Sequence, residues 1–364
     1  MATTYKSLST NDIVTTKTLL HEAIPITGTI VSGTYVSGTT ETNIKNYTHG
    51  MFQSVYDYPY LSSSANHIFD IAIGFHSTSS LSGTSAGHLQ VGKKINMYNQ
   101  MAQVLMGYDE SGNIRRFDED GDLSGGTKMN EVVFVNFARL LTKDEIKKGS
   151  FVFELGVSGT YASSSDLRVK VYDKNALNDY RVNSPAGDYA ILYADSTSGT
   201  NLTTDDTTQK AGLIFYQAGI AVITASVFLN DTDGGMLTAS LSSSEMDSSG
   251  QDIRDLFVSG AISASCDALR HRFYDLDFNN TTELNSTVYF CRAHHNEFNY
   301  STNPTYLSGS KMVVKNVSSD SPVSYITTVG LYSADNELLA VAKLSEPLKK
   351  DPSNELTLRV RLDY

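Results

Sequence analysis

The side chains able to do acid–base, nucleophilic or metal chemistry are thinly spread in this 364-residue chain, which holds 8 histidines, 2 cysteines and 40 carboxylates. His21-Glu22 lacks the second histidine that a zinc helix of the His-Glu-x-x-His kind needs. His294-His295, with Glu297 close by, is the one histidine cluster. Neighbouring residues on a strand point to opposite faces, so there the pair could not grip one metal ion and reads as packed or interfacial. Asp275 and Asp277 would share a strand face and have the residue types of a glycosidase pair, a pairing common without catalysis. The loop Asp118-Glu-Asp120-Gly121-Asp122 has the composition of a calcium loop. Its glycine comes fourth where an EF-hand places it sixth, and no glutamate stands twelfth, so a solvated turn is expected. No P-loop, dinucleotide fingerprint or Cys-x-x-Cys pair occurs. The chain reads as non-enzymatic, with no catalytic residue, cofactor or metal to assign.

The elements that would position these residues read mostly as strands. From Glu355 onward, Leu356, Leu358, Val360, Leu362 and Tyr364 alternate with Thr357, Arg359, Arg361 and Asp363, the period of a strand with one buried face. Arg359 and Arg361 then meet water or an acidic partner surface, which makes them candidate interface residues. Val323–Tyr332 and Glu337–Leu344 precede it as strands, joined by the turn-forming Ser333–Asn336. Pro347 and Pro352 break the ladder before the last strand. The pattern predicts a three-stranded antiparallel meander. Strands are also expected over Ile68–Phe75, Val132–Leu141, Phe151–Val157, Leu167–Tyr172 and Tyr189–Tyr193, with a turn at Asn183–Gly187. Ala211–Leu229, apolar but broken by Gln217, Gly219, Thr224 and Ser226, reads as buried strand and not as a membrane span.

Helical patterns are few. Ser9 and Asp12 have capping-box spacing, and Ile13, Lys17, Leu20 and Ile24 follow at helical intervals up to Pro25. Over Lys93–Gly107, Ile95, Tyr98, Ala102, Leu105 and Met106 make an apolar stripe with a glycine stop. Thr142–Glu145 is a second capping box opening one turn that Gly149 ends, and a short helix is expected around Ile253, Leu256 and Phe257. Between strands lie an extended arm or hairpin over Ile26–Tyr47, with Gly28, Gly33 and Gly38 evenly spaced, a Ser/Gly loop over Ser77–Gly87, and a polar peripheral loop over Asp195–Gln209.

Composition bounds what such a chain can do. Hydrophobic residues at 40% and charged residues at 19% suit a soluble folded protein, long enough for two or three domains. The N-terminus has neither the basic start nor the apolar core of a signal peptide, so synthesis in the cytosol is expected. A formal net charge of −12 without any basic stripe argues against nucleic acid and against an anionic membrane as partners. Cys266 and Cys291 are too few for a disulfide framework and read as buried free thiols. The expected fold class is mainly β with an α+β margin: antiparallel, β-sandwich-like domains and a few short helices. Ser/Gly-rich Val157–Tyr161 and a weaker break near 268 divide it into 1–158, a mixed domain holding the helices near 10–24 and 94–107, 159–268, a central β-rich domain, and 269–364, an antiparallel β domain.

Several segments are similar to known proteins. Lys94–Tyr108 and Asn136–Phe151 resemble stretches in structural proteins of contractile-tailed phages, especially marine cyanophage-type myoviruses. Phe290-Cys-Arg-Ala293, Phe298–Tyr306, Ile326-Thr-Thr-Val-Gly-Leu-Tyr332 and Glu337–Lys350 resemble a recurrent ending of such virion proteins. Residues 160–265 carry no such likeness. The resemblance implies a structural subunit of the virion, in the tail, baseplate or neck, made in the host cytoplasm. Its partners would be other virion structural proteins and copies of itself, and it brings no catalytic residues. The residues themselves motivate a second reading. Tyr56, Tyr58 and Tyr60 form a cluster that could stack on a sugar in a host-recognition or glycan-binding module, although such clusters more often pack in a core or interface.

Overall fold

The computed structural model describes residues 5–26, 42–83, 85–123, 125–157, 167–198, 208–237, 243–247, 249–300, 307–308, 311–312 and 322–364. Gly28, Gly33 and Gly38, most of the arm expected around them, the break at 157–161 beyond Val157, and most of the loop expected over Asp195–Gln209 lie outside those residues. In chain order the elements are β1 (Ile13–Ile26), β2 (Ile44–Asn46), β3 (Gln53–Tyr56), β4 (His67–Phe75), α1 (Val91–Leu105), β5 (Glu131–Phe137), α2 (Arg139–Thr142), β6 (Glu145–Ile146) and β7 (Val152–Gly156). There follow β8 (Arg168–Tyr172), β9 (Tyr180–Ser184), β10 (Gly187–Ser198), β11 (Lys210–Phe215), β12 (Ile220–Thr224), α3 (Ile253–Ser259) and α4 (Ile262–Arg270). The chain ends in β13 (Phe273–Ala293), β14 (Leu307–Ser308), β15 (Lys311–Met312), β16 (Ser324–Tyr332), β17 (Leu338–Lys350) and β18 (Leu356–Asp363). The protein is mainly β, and the defined strand registers are antiparallel. It divides into two compact units, a central one of 20–282 and a terminal one joining 1–19 to 283–364.

In the central unit one sheet runs β13-β7-β8-β10-β11-β12-β5-β4-β3-β2, with β6 also on β13 and β9 on β10. Its middle strands are buried on both faces. Val133 and Val135 of β5 and Ile71 and Ile73 of β4 enter one hydrophobic cluster, while Val132, Phe134 and Ala72 between them enter another. Strands buried on both faces read as continuous apolar runs, and Ala211–Leu229 is such a run, holding the β11–β12 hairpin. Phe69 and Phe137 meet Phe273 and Phe278 with ring centroids 5.9 and 5.2 Å apart. The sheet thus folds over, and β4–β5 face β13 across the first cluster in a sandwich-like arrangement.

The second cluster is closed by α1, through Met97, Tyr98, Ala102 and Leu105, largely the stripe expected from the sequence. A Cβ at Gly74 would come within 2.8 Å of the Tyr98 backbone nitrogen, so only glycine lets β4 and α1 approach this closely. Lys94, on the same helix, is fully buried, and its Nζ donates to the carbonyls of Phe257 and Gly260 at 2.5 and 2.8 Å, at the C-terminal end of α3. Burial pulls this lysine down to about 8. Asp173 is a buried acid of the unit: it accepts from Tyr216 Oη, Gly149 N and Phe151 N, and burial pushes it up to about 6.

Four expectations are corrected. Residues 9–24 are not a helix. Ser9 N and Oγ both donate to Asp12 Oδ2, yet this box closes a single 3-10 turn before β1 begins. Ile13, Val14 and the threonines at 15, 16 and 18 restrict χ1 and favour the strand over an otherwise helical spacing. The second capping box is displaced as well: α2 ends at Thr142, Lys143 has φ +55°, and Glu145–Ile146 joins β13 as a strand. The C-terminal meander has only one of its two pairings. β16 pairs with β17, but β18 pairs with β13, from Ser286↔Asp363 to Ala293↔Leu356. Alternation shows which face a strand buries and is silent about its neighbour. Pro347 lies within β17, tolerated because the register jumps from Ile326↔Leu348 to Thr328↔Lys343, so that 344–347 bulge opposite Thr327. Finally, the compact units differ from the three consecutive segments expected. The central sheet runs through both sides of 158, residue 268 falls inside α4, and the terminal unit joins the two ends of the chain.

Candidate interaction surface

In the terminal unit, β18 lies on one edge of β13 and β1 on the other. Thr16 Oγ1 donates to the Ser286 carbonyl at 3.5 Å, and Arg292 pairs with Asp12 at 3.0 Å. β1 ends the sheet order, so among the described residues no strand pairs with its outer edge. The inward positions of β18 alternate as the sequence predicts, but only Val360 is buried, while Leu356, Leu358 and Leu362 are half-buried. β16 and β17 form a sheet of two strands by themselves. Val329, Leu331, Ala340 and Ala342 of this hairpin are half-buried, and Tyr332, Leu338, Leu339 and Val341 are exposed.

Among its described residues this unit has no hydrophobic core. Its buried apolar side chains, among the described residues, are Val288, Ala293 and Val360, and neither hydrophobic cluster contains any residue of it. Its charges balance, ten Lys and Arg against ten Asp and Glu, so the whole formal charge of −12 belongs to 20–282. Several of those charges pair locally, Lys6 with Glu297 at 2.5 Å and Lys349 with Asp351 at 3.2 Å. Arg359 and Arg361 do point outward. Arg361 donates to Asp363 at 2.8 Å and to Ser286 Oγ at 3.0 Å, whereas Arg359 sits opposite Phe290 in the β13–β18 register.

The tyrosine cluster belongs to the central unit, at the edge formed by β2 and β3. Tyr56 packs against Tyr60 and His67 with centroids 6.4 and 5.5 Å apart, and Tyr58 is 58% exposed. A second group, Tyr47, His49 and Phe52, lies on the same hairpin with centroids 4.9 to 5.0 Å apart. The polar groups nearby are engaged with one another: Asp57 accepts from Asn66 N and Nδ2, and Asp70 Oδ1 accepts from Ser54 Oγ and contacts His67 Nε2 at 2.8 Å. In Ser54, Asp70 and His67 the carboxylate stands between serine and histidine, the reverse of what a nucleophilic triad needs.

The remaining candidates are placed as follows. Asp118, Asp120 and Asp122 bring carboxylate oxygens within 4.8 Å of one another, and Lys128 Nζ forms an ion pair with the buried Asp118. Burial raises Asp118 above the ordinary carboxylate range, with Lys128 opposing. His294 and His295 lie in a turn beyond β13 and not on a strand, and both approach Glu355 Oε1, at 3.8 and 3.4 Å. Asp275 and Asp277 sit on β13 beside β7, and burial followed by the Asp275 charge raises Asp277. Both cysteines are free, Cys266 buried and Cys291 half-buried. The chain was expected to hold no Gly-x-Ser-x-Gly elbow, and that is corrected: Gly83-Thr-Ser85-Ala-Gly87 has the spacing, within the stretch expected as a Ser/Gly loop. An elbow needs a strand turning sharply into a helix at the serine; here a 3-10 turn precedes Ser85, α1 starts only at Val91, and Ser85 has no positive φ.

The sequence reading also missed the edge strand β1 and the exposed hairpin face. The signal for β1 was its run of β-branched residues; for the hairpin face it was Leu338, Leu339 and Val341 in a segment with apolar residues at both parities. Comparison with known proteins found no matching protein family, curated protein or solved structure.

Proposed function

We propose that this chain is a non-enzymatic structural subunit of a tailed-phage particle, in the tail, baseplate or neck, where it assembles through β-rich surfaces with other virion proteins. The particle is suggested by the likeness of Lys94–Tyr108, Asn136–Phe151 and the segments from Phe290 onward to virion proteins of contractile-tailed phages. The observation that carries the assembly role is the coreless terminal unit. Ordering a residue costs about 1–2 kcal/mol of backbone entropy, and a lone two-stranded sheet is marginal at best in water. Strands that bury three apolar side chains need a further surface to cover them. Mass spectrometry of purified particles split into heads and tails is the test. The chain should appear in the tail fraction at stoichiometric abundance, and its absence from both fractions would end this reading.

A second reading, a peripheral host-recognition or glycan-binding module, rests on the aromatic groups around Tyr56–Tyr60 and Tyr47–Phe52. Binding on a glycan array that Tyr58→Ser removes would favour it; silence on the array would discard it.

A further inference from the structure

We infer that the terminal unit is an interface between copies of this chain, the exposed face of the β16–β17 hairpin packing against the terminal unit of a second copy. This deepens the assembly reading above and rests on it. The exposed face carries Tyr332, Leu338, Leu339 and Val341, with Tyr5 packed beside Tyr332 at 4.7 Å between ring centroids. Thirteen of the large apolar side chains exposed in the described protein belong to this unit, although it is the smaller of the two. Five of them, Tyr5, Tyr332, Leu338, Leu339 and Val341, gather on or beside this one face of the hairpin, which singly scattered surface residues would not do.

Charge selects the occupant. Two copies repel each other through their central units, each carrying the full −12, and that repulsion acts on any approach bringing those surfaces together. The terminal unit is neutral. A basic partner would be drawn to the acidic central unit, and the hairpin offers it no net charge to recognise. A surface of leucine, valine, tyrosine and threonine with balanced charge is complementary to another like itself, and a second copy supplies one. Self-pairing of this kind also covers a two-stranded sheet, which a third strand or a facing layer must do for it to be stable.

The test uses the full chain. Native mass spectrometry and light scattering over a wide concentration range should show an oligomer that dissociates on dilution. Leu339→Asp with Val341→Asp should weaken that association at least about a hundredfold, because two carboxylates would have to be desolvated in the contact. Tyr58→Ser, in the central unit, should leave it unchanged. Raising salt should hold or strengthen association by screening the acidic repulsion, whereas a charge-driven contact would weaken. Amide exchange of the unmodified chain provides a readout independent of whether the variant folds: protection over 324–350 should rise with concentration. A chain monomeric at every concentration, protection over 324–350 that ignores concentration, or association unaffected by the double substitution would overturn the inference. Loss of association in Tyr58→Ser would also overturn it, by moving the contact to the other unit. A monomeric chain still found in tails would sink this interface alone, whereas an oligomer absent from particles would sink the phage reading alone.

Discussion

β5 in the central unit and β17 in the terminal unit are both antiparallel strands with apolar residues at successive positions, and their fates differ. Five of the seven residues of β5 are buried, on both faces, because α1 covers one side and β13 the other. Of the thirteen residues of β17, only Lys350 is buried, its ammonium donating to Asn299 Oδ1 and to the Asp351 carbonyl at 2.8 and 2.9 Å. The local pattern makes each a strand; a second layer decides whether the strand contributes stability. At about 1.5–3 kcal/mol for a buried Val, Leu or Phe, the central unit draws on dozens of such side chains and the terminal unit on three.

The contrast is broken most directly by cutting into both units. Phe137 is buried among Phe151 and Phe278, so Phe137→Ala should lower unfolding free energy by about 3–5 kcal/mol in urea titrations. Val360→Ala, the matching cut in the terminal unit, should cost about 1 kcal/mol or less, since its site is already shallow. Equal costs would show that the terminal unit has a core after all.

Lys94 tests the central unit in another way. Its folded-state value is lowered to about 8 against an ordinary value near 10.4, so between the two the unfolded chain holds more protons. Stability should therefore rise with pH from about 8 towards 10, by up to roughly 3 kcal/mol, the cost of burying the charge being present in full below pH 8. Lys94→Met should abolish that slope while leaving the carbonyls of Phe257 and Gly260 without their donor, a loss of about 1–3 kcal/mol at high pH. An unchanged slope in the variant would assign the dependence to other groups.

The same contrast accounts for what could be read in the sequence. Central strands such as β4, β11 and β12 were legible because burial on both faces leaves largely apolar runs, as in Ile68–Phe75 and Ala211–Leu229, and α1 because its stripe has a period no strand shares. β1 was misread because Ile13, Lys17, Leu20 and Ile24 happen to fall at helical intervals, while β-branching decided the conformation. β18 was assigned the right faces and the wrong neighbour, since pairing with β13 is a contact that no local pattern encodes. The outward direction of Arg359 and Arg361 was legible from the alternation of β18. The exposed side chains of β17 look in sequence like core, and only the lack of a second layer among the described residues reveals them as surface.

Removing residues 355–364 sharpens the comparison further. The deletion takes away β18 and uncovers Val288, yet none of the lost residues belongs to either hydrophobic cluster. Amide exchange should lose its protection over 286–293. The urea midpoint of the central unit should move by no more than the equivalent of about 0.5 kcal/mol, as for distant independent sites. Loss of central-unit protection in the truncated chain would contradict this.

The smallest expected effect is none, and it concerns the acidic loop. Asp118, Asp120 and Asp122 approach closely enough for a cation, but the buried member already has one, the Lys128 ammonium, which hangs from the chain ten residues further on. Asp122 N donates to Asp120 Oδ1 at 3.2 Å, and a Cβ at Gly126 would sit 2.8 Å from Asp118 Oδ1, so the loop closes tightly on its own groups. Calcium takes six to eight oxygens at about 2.3–2.6 Å, and it would have to displace a lysine already satisfying the best of them. Thermal unfolding in chelator and in excess calcium should therefore superimpose. Specific binding to the folded state would raise the transition by mass action, so a shift of several degrees would show that the lysine yields to calcium. Lys128→Met sharpens the point: if the ammonium is what excludes calcium, this variant should be less stable in chelator and regain part of the loss on adding calcium. A variant indifferent to calcium would instead mean that the loop's geometry, and not its resident cation, decides.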